Sequence, residues 1–276
     1  MIELPEATII AAQMNTGLKG KHILDGNRGN SPHKFAFVNR PPEDYAAIFP
    51  GKSIGESRAN GSLILTDIEP GYTLMLGGGG ERIIYHPDAT SLPAKYQLYL
   101  HFSDETYLTV TVQGWGSTYL LDPAELASHP FISKNLSPLS HSFSPGYFEG
   151  LFAMLSPEDP RSVKFFMISK PGVLGVGNGC LQDILWQARL HPRRRAISLS
   201  VDERKQLYHA TRETLRAMLE RGGRDGDYNL YNHPGGYRRL MSNQTAGQPC
   251  PRCGAPVEKA SYLGGAVYFC PQCQTL

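Results

Sequence analysis

The sequence predicts an α+β fold in more than one domain, and three observations carry that prediction. Apolar residues recur with period two from about Ser62 to Leu121, as in strands with one buried face, and with helical period between Asn178 and Arg221. The last 27 residues hold Cys250-Pro251-Arg252-Cys253 and, sixteen residues later, Cys270-Pro271-Gln272-Cys273. A chain of 276 residues with 41% hydrophobic content can build more than one core. No apolar run reaches the length of a membrane-spanning helix, which sets a membrane function aside.

In chain order, the first element is a short amphipathic helix. Pro5 marks its start, Ile9, Ile10, Met14 and Leu18 fall at helical spacing, and Gly17 and Gly20 stop it. Leu63 and Leu65, then Tyr96, Leu98, Leu100 and Phe102, then Leu108, Val110 and Val112 alternate between turn signals at Gly77–Gly80, Ser103–Glu105 and Gly114/Gly116, which predicts an antiparallel meander. Residues 133–146, rich in Ser and Pro, predict a linker. A helix begins near Asn178 and runs through Leu181, Ile184, Leu185 and Ala188 to His191-Pro192. Ser200 and Glu203 form a capping-box pattern ahead of Leu207, Ala210, Leu215, Met218 and Leu219, a helix that ends at Arg221-Gly222-Gly223.

Three features bear on chemistry. Paired C-x-x-C motifs at this spacing predict one zinc held by Cys250, Cys253, Cys270 and Cys273; the competing reading is two disulfides. Cys180 would be left unpaired, and Glu3 and Glu6 stand where an export signal needs basic and then apolar residues, so zinc in a cytoplasmic protein is the expectation. A closed four-cysteine site stabilises a fold and does no chemistry. Net charge is +2 overall, but residues 1–150 carry 10 Lys/Arg against 15 Asp/Glu while residues 151–276 carry 17 against 10. The second half can contact a polyanion or can simply be a solvated basic surface. Finally, Gly175-Val176-Gly177 feeds a helix N-terminus, which suits phosphate binding or close packing.

Glu3-Leu4-Pro5-Glu6, the Gly175-Val176-Gly177-Asn178 turn with its helix to His191-Pro192, and Gly247-Gln248-Pro249-Cys250 through Cys270-Pro271-Gln272-Cys273-Gln274 resemble, in order and spacing, the formamidopyrimidine-DNA glycosylase/endonuclease VIII family. The resemblance is strong over about 164–276 and weaker before that, apart from the first six residues. It implies an N-terminal β-sandwich with flanking helices (1–132), the linker (133–146), a helix–two-turn–helix DNA-binding domain (147–242) and a zinc-finger β-hairpin (243–276). It also implies a cleft between domains that binds double-stranded DNA with a damaged base or abasic site. The expected working form is a monomer in the cytoplasm, on the nucleoid.

The resemblance assigns roles residue by residue. Glu3 matches the family's acid/base glutamate, with Glu6 beside it, although a glutamate near an N-terminus is by itself usually just solvated. Asn178, Lys164, Gly175 and Gly177 fall among the phosphate-contacting positions. Trp115 and Gln113 stand where the family inserts an aromatic wedge and an arginine into the stack; otherwise Trp115 is a strand-end core residue. The family's nucleophile is an N-terminal proline amine, whereas this chain reads Met1-Ile2. With Met1 retained, its amine lies one residue, about 3.3–3.6 Å of extended chain, beyond the family position; with Met1 removed, Ile2 offers a primary amine. Ser57–Ser62 lacks the family's lysine, Gly77–Gly80 replaces a methionine-bearing turn, and Gly265 replaces a finger arginine. Base excision with doubtful lyase activity is expected, and the alternative is a damage-recognition protein that has lost the nucleophile. A general nucleic-acid binder would leave Glu3 idle.

Overall fold

The computed structural model describes residues 1–276, which divide into two compact units: 1–133 with 221–236, and 134–220 with 237–276. Segment 221–236 falls in the 147–242 domain of the sequence reading, yet it packs within the first unit. Leu230 is fully buried in that unit's core, its N–H donates to the Gln13 side chain (3.0 Å), and its carbonyl accepts from Tyr85 N–H (2.9 Å).

The first unit opens with α1 (Leu4–Gly17), where Pro5 occupies a first-turn position that has no intrahelical donor to lose. Two short helices, α2 (Pro42–Ile48) and α3 (Pro123–Ser128), lie among the strands. One sheet combines β2 (Ala36–Phe37), β3 (Ser53–Asn60), β4 (Leu63–Glu69), β5 (Tyr72–Gly77) and β9 (Gly116–Leu121) in the order β2-β9-β5-β4-β3. The other combines β1 (Ile23–Asn27), β6 (Glu81–His86), β7 (Leu98–Phe102) and β8 (Tyr107–Val112) in the order β1-β7-β8-β6. The single meander expected from the sequence is therefore corrected. After β5 the chain changes sheets at Gly77–Gly80, and β9 returns to pair with β5. Alternation alone cannot show this, because a strand with one apolar face fits either layer of a sandwich.

Leu74 and Leu76 of one sheet share a core with Ile83, Leu98, Leu100 and Val110 of the other, and Ile10 and Met14 of α1 pack into it. Burying each such side chain contributes about 1.5–3 kcal/mol. Where the register of β3 against β4 shifts between Ile54 and Ser57, Asn15 fills the gap, donating to Ser57 O and accepting from Ser57 N–H, both at 2.7 Å.

In the second unit α4 (Pro145–Phe152), α5 (Val163–Ile168), α6 (Asn178–Gln187) and α7 (Val201–Glu220) surround an aromatic core of Phe148, Phe152, Phe166 and Tyr208. Phe143, from the expected linker, is buried here and stacks on Tyr208. Glu203 and Ser200 exchange the two capping-box bonds. The helix expected to reach His191-Pro192 ends at Gln187, just before Arg189 turns left-handed at φ 57°. A hairpin of β10 (Glu258–Tyr262) and β11 (Gly265–Phe269) closes through Leu263 and Gly264, both at positive φ, as tight two-residue hairpin turns require.

Candidate functional site

The N-terminal residues are held on all sides. Ile2 N–H donates to Gly79 O (2.8 Å), and the Ile2 side chain is buried in the sandwich core. With Met1 in place, the nitrogen at the position the resemblance gives to the nucleophile is an amide, with its hydrogen engaged by Gly79. Glu3 and Glu6 are both buried, and the guanidinium that reaches them comes from Arg224, itself 2% exposed. Arg224 Nη1 donates to Glu3 Oε1 (3.0 Å), Nε to Glu6 Oε1 (3.0 Å) and Nη2 to Glu6 Oε2 (2.7 Å). The same Nη2 reaches Met1 O (2.7 Å) and Asp227 Oδ2 (3.1 Å), while Asp227 Oδ1 pairs with the Met1 amine. A buried cation persists only where opposite charge and acceptors surround it, and three carboxylates and a carbonyl supply both. Glu6 also accepts from Glu3 N–H (3.2 Å), so its oxygens hold the loop and the helix start together.

Beside this cluster lies a cavity of about 400 Å³, walled by Met1, Glu81, Arg82, Gln113, Asp227 and Tyr228. The Arg82 guanidinium sits 3.7 Å from the centre of the Tyr228 ring. Burial pushes the Glu81 carboxyl above the ordinary glutamate range, against the opposing pull of the Ser117 and Gly79 N–H groups that bond it.

The glycine run has a steric reason. A Cβ on Gly80 would lie 1.8 Å from Gln113 O and one on Gly79 2.2 Å from Trp115 O, so the 77–80 turn and the 113–115 turn approach backbone to backbone. Gly80 N–H donates to Trp115 O and Gln113 N–H to Gly80 O. Trp115 rides on this pair with 46% exposure, which removes the core alternative for it. Its ring helps wall a second, apolar cavity of about 380 Å³ with Phe37, Leu63 and Phe131.

In the second unit, Gly175 (φ 74°) and Gly177, the residue capping α6, place Asn178 in the first turn. The Asn178 side chain donates to Ala266 O (3.0 Å) and accepts from Gln182. Lys164 is buried, donates to Tyr262 O (2.8 Å), and burial lowers its ammonium below the ordinary lysine range. Lys164 and Asn178 converge on the finger hairpin. A Cβ on Gly265 would lie 3.7 Å from both side-chain nitrogens, so this is where the finger side chain that the resemblance leads one to expect would project.

Cys250, Cys253, Cys270 and Cys273 bring their sulfurs within 4.8 Å of one another, with the pairs at 3.9 and 3.4 Å. Thiolates 2.3 Å from a common tetrahedral ion lie about 3.8 Å apart, so the set fits zinc and leaves no ligand position open. Trp186 Nε1–H donates to Cys250 Sγ (3.4 Å). Together with the Arg252 and Cys253 N–H groups it lowers the Cys250 thiol despite burial, whereas burial and the neighbouring sulfurs raise Cys270 and Cys273. One structural zinc belongs here.

Sequence reasoning missed Arg224, Asp227 and Tyr228. The available signal was a charged Gly222-Gly223-Arg224-Asp225-Gly226-Asp227 run directly after a helix, which reads as a stop signal alone.

Residues 136–227 match the family model described as the formamidopyrimidine-DNA glycosylase H2TH domain, and residues 247–276 match the zinc finger found in FPG and IleRS. The chain is 31% identical to the formamidopyrimidine-DNA glycosylase of Thermus thermophilus over 86% of its own length and 89% of that protein's. It is 27% identical to that of Chloroflexus aurantiacus over 99% and 98%. The crystal structure of the Thermus thermophilus Fpg protein superposes with a TM-score of 0.79 at 27% identity, covering 99% of this chain and 98% of that one. A Lactococcus lactis Fpg bound to DNA with an abasic site superposes with a TM-score of 0.83 at 20% identity, covering 99% and 100%, a likeness of fold.

Proposed function

The chain belongs to the formamidopyrimidine-DNA glycosylase family, and from that premise we propose that it is a DNA repair enzyme that breaks the N-glycosyl bond of an oxidised base in double-stranded DNA. The observation that carries this reading is the Glu3–Arg224–Asp227 cluster at the edge of a nucleotide-sized cavity in the first unit. Asn178, Lys164, Gly175 and Gly177 are the proposed phosphate contacts, and Trp115 with Gln113 the proposed wedge that fills the stack when a base is extruded. The protein acts on DNA as a monomer.

Strand cleavage by elimination, which the family routes through a covalent imine on the residue-2 amine, is weak or absent here while Met1 is in place, because that nitrogen is then an amide bonded to Gly79. The same bond favours a second reading, a recognition protein that holds damaged DNA without turnover. Single-turnover incubation with duplexes carrying an oxidised purine, an oxidised pyrimidine or an abasic site separates the two. Release of free base, seen by mass spectrometry and as alkali-labile sites, supports the enzyme. Damage-selective binding with no base released on any duplex supports the recognition protein.

A further inference from the structure

Two carboxylates line the cavity beside the cluster, Asp227 and Glu81, and the oxygens of the buried Glu81 are taken by the Gly79 and Ser117 N–H groups. Glu3 and Glu6 are almost wholly enclosed, whereas the Asp227 side chain retains 11% exposure and helps wall the space of about 400 Å³ that Met1 and Ile2 also border. Its Oδ2 is fixed by Arg224 Nη2 at 3.1 Å and its Oδ1 faces the Met1 amine. Arg224 is in turn locked to Glu3 and Glu6, so the loop bearing Asp227 is tied to the N-terminal motif. A carboxylate has about four lone-pair directions, so two cationic partners orient it and leave acceptor capacity toward the cavity. With Met1 in place, the nitrogen of Ile2 is an amide engaged with Gly79 and does not attack a sugar.

We propose that Asp227 is a further catalytic residue of this enzyme, which directs and deprotonates the water that attacks the sugar, with Arg224 as its positioning residue. The proposal rests on the glycosylase reading above and specifies its chemistry. As the water oxygen bonds to C1′, its proton passes to the Asp227 carboxylate. The N-glycosyl bond breaks with its electron pair leaving on the base, and the proton held by Asp227 is then transferred to the departing base nitrogen. The products are an abasic sugar with a hydroxyl at C1′ and the free base, so water is the only co-reactant. While the sugar carries positive charge, the carboxylate also stabilises it electrostatically.

The test uses the full-length, zinc-loaded protein as wild type, Asp227→Asn, Arg224→Lys and Asp227→Glu. Two readouts are taken: single-turnover base excision, and affinity for duplexes carrying a neutral tetrahydrofuran or a cationic pyrrolidine in place of the damaged nucleotide. Asp227→Asn should slow single-turnover excision about 10²–10⁴-fold, the usual contribution of a positioned acid or base, with affinity for the tetrahydrofuran duplex changed less than about threefold. It should also abolish a wild-type preference of at least about tenfold for pyrrolidine over tetrahydrofuran, the sign of a carboxylate facing a cationic sugar. That preference is a ratio within one protein sample, so a partly unfolded variant still reports it. Arg224→Lys and Asp227→Glu should recover part of both effects. An unchanged preference in Asp227→Asn, or excision within threefold of wild type, overturns the role of Asp227. Efficient borohydride trapping of wild type on an abasic duplex also overturns it, because an amine would then be the nucleophile. Failure of wild type to release any base, with the pyrrolidine preference intact and lost in Asp227→Asn, overturns the enzymatic reading instead.

Discussion

Arg224 and Glu6 are joined by three hydrogen bonds across 218 residues of sequence: Arg224 N–H and Nε donate to Oε1 at 3.1 and 3.0 Å, and Nη2 donates to Oε2 at 2.7 Å. Removing Glu6 takes three hydrogen bonds and one of three carboxylates from the buried Arg224. Glu6→Ala is therefore expected to destabilise the first unit by about 3–5 kcal/mol, whereas a surface exchange such as Asp202→Ala should fall within about 0.5 kcal/mol. Denaturant titration compares them, and equal midpoints would remove the structural weight given to Glu6.

The turn contact between glycines and the 113–115 loop makes a steric prediction. Gly80→Ala places a Cβ 1.8 Å from Gln113 O and must push the turn that carries Trp115 away. Trp186 is buried beside Cys250, so exposed-tryptophan emission reports on Trp115. Wild-type emission should be quenched by damaged duplex, as expected if bases stack on the ring, and Gly80→Ala should lose most of that quenching. Full quenching in the variant would show that the turn pairing does not position Trp115.

Zinc removal should act on the second unit. The core beneath the finger joins Cys250 and Cys270 to Trp186, Met241 and Val257. Chelation or Cys270→Ser is expected to unfold residues 247–276 and to weaken duplex binding, followed by zinc content, hydrogen exchange in the hairpin and affinity. Retained protection of the hairpin after complete zinc loss would contradict this.

His101 gives a pH dependence with a defined sign. Burial alone would lower it, but hydrogen bonds to Asp25 (3.0 Å) and Glu105 (3.3 Å) outweigh burial and raise it above the ordinary histidine value. A group raised in the folded state adds stability that is fully present below its unfolded value, about 6.5, and is lost as pH rises through the folded value. Amide exchange along the pairing of Asp25 with His101 should accordingly report weaker protection at pH 8 than at pH 6, after correction for the intrinsic rate. Asp25→Asn should lower the histidine titration followed by NMR, and an unshifted titration would remove the Asp25 contribution.

The zinc ligands, α1, α7 and the entry to α6 were legible because each rests on short-range chemistry: a bite of two cysteines, a helical period, a reciprocal cap. Glu3 and Asn178 were singled out through the resemblance alone. The exchange of sheets after β5 was not legible, because strands of both layers alternate alike. Arg224 and Asp227 were invisible for a different reason: their N-terminal partners lie more than 200 residues away, and no local pattern distinguishes a buried arginine from a solvated one.

The division of the chain also bears on how the protein is made. Residues 221–236 complete the first unit, so a ribosome must synthesise most of the protein before the N-terminal sandwich can close over Glu3 and Glu6. Domains ordinarily fold in the order in which they emerge. In this chain the second unit's helices α4 to α7 emerge while the first still has two buried carboxylates waiting for Arg224. A nascent chain halted at residue 133 would expose an acidic, uncompensated N-terminus, and would be the species on which chaperones and proteases act.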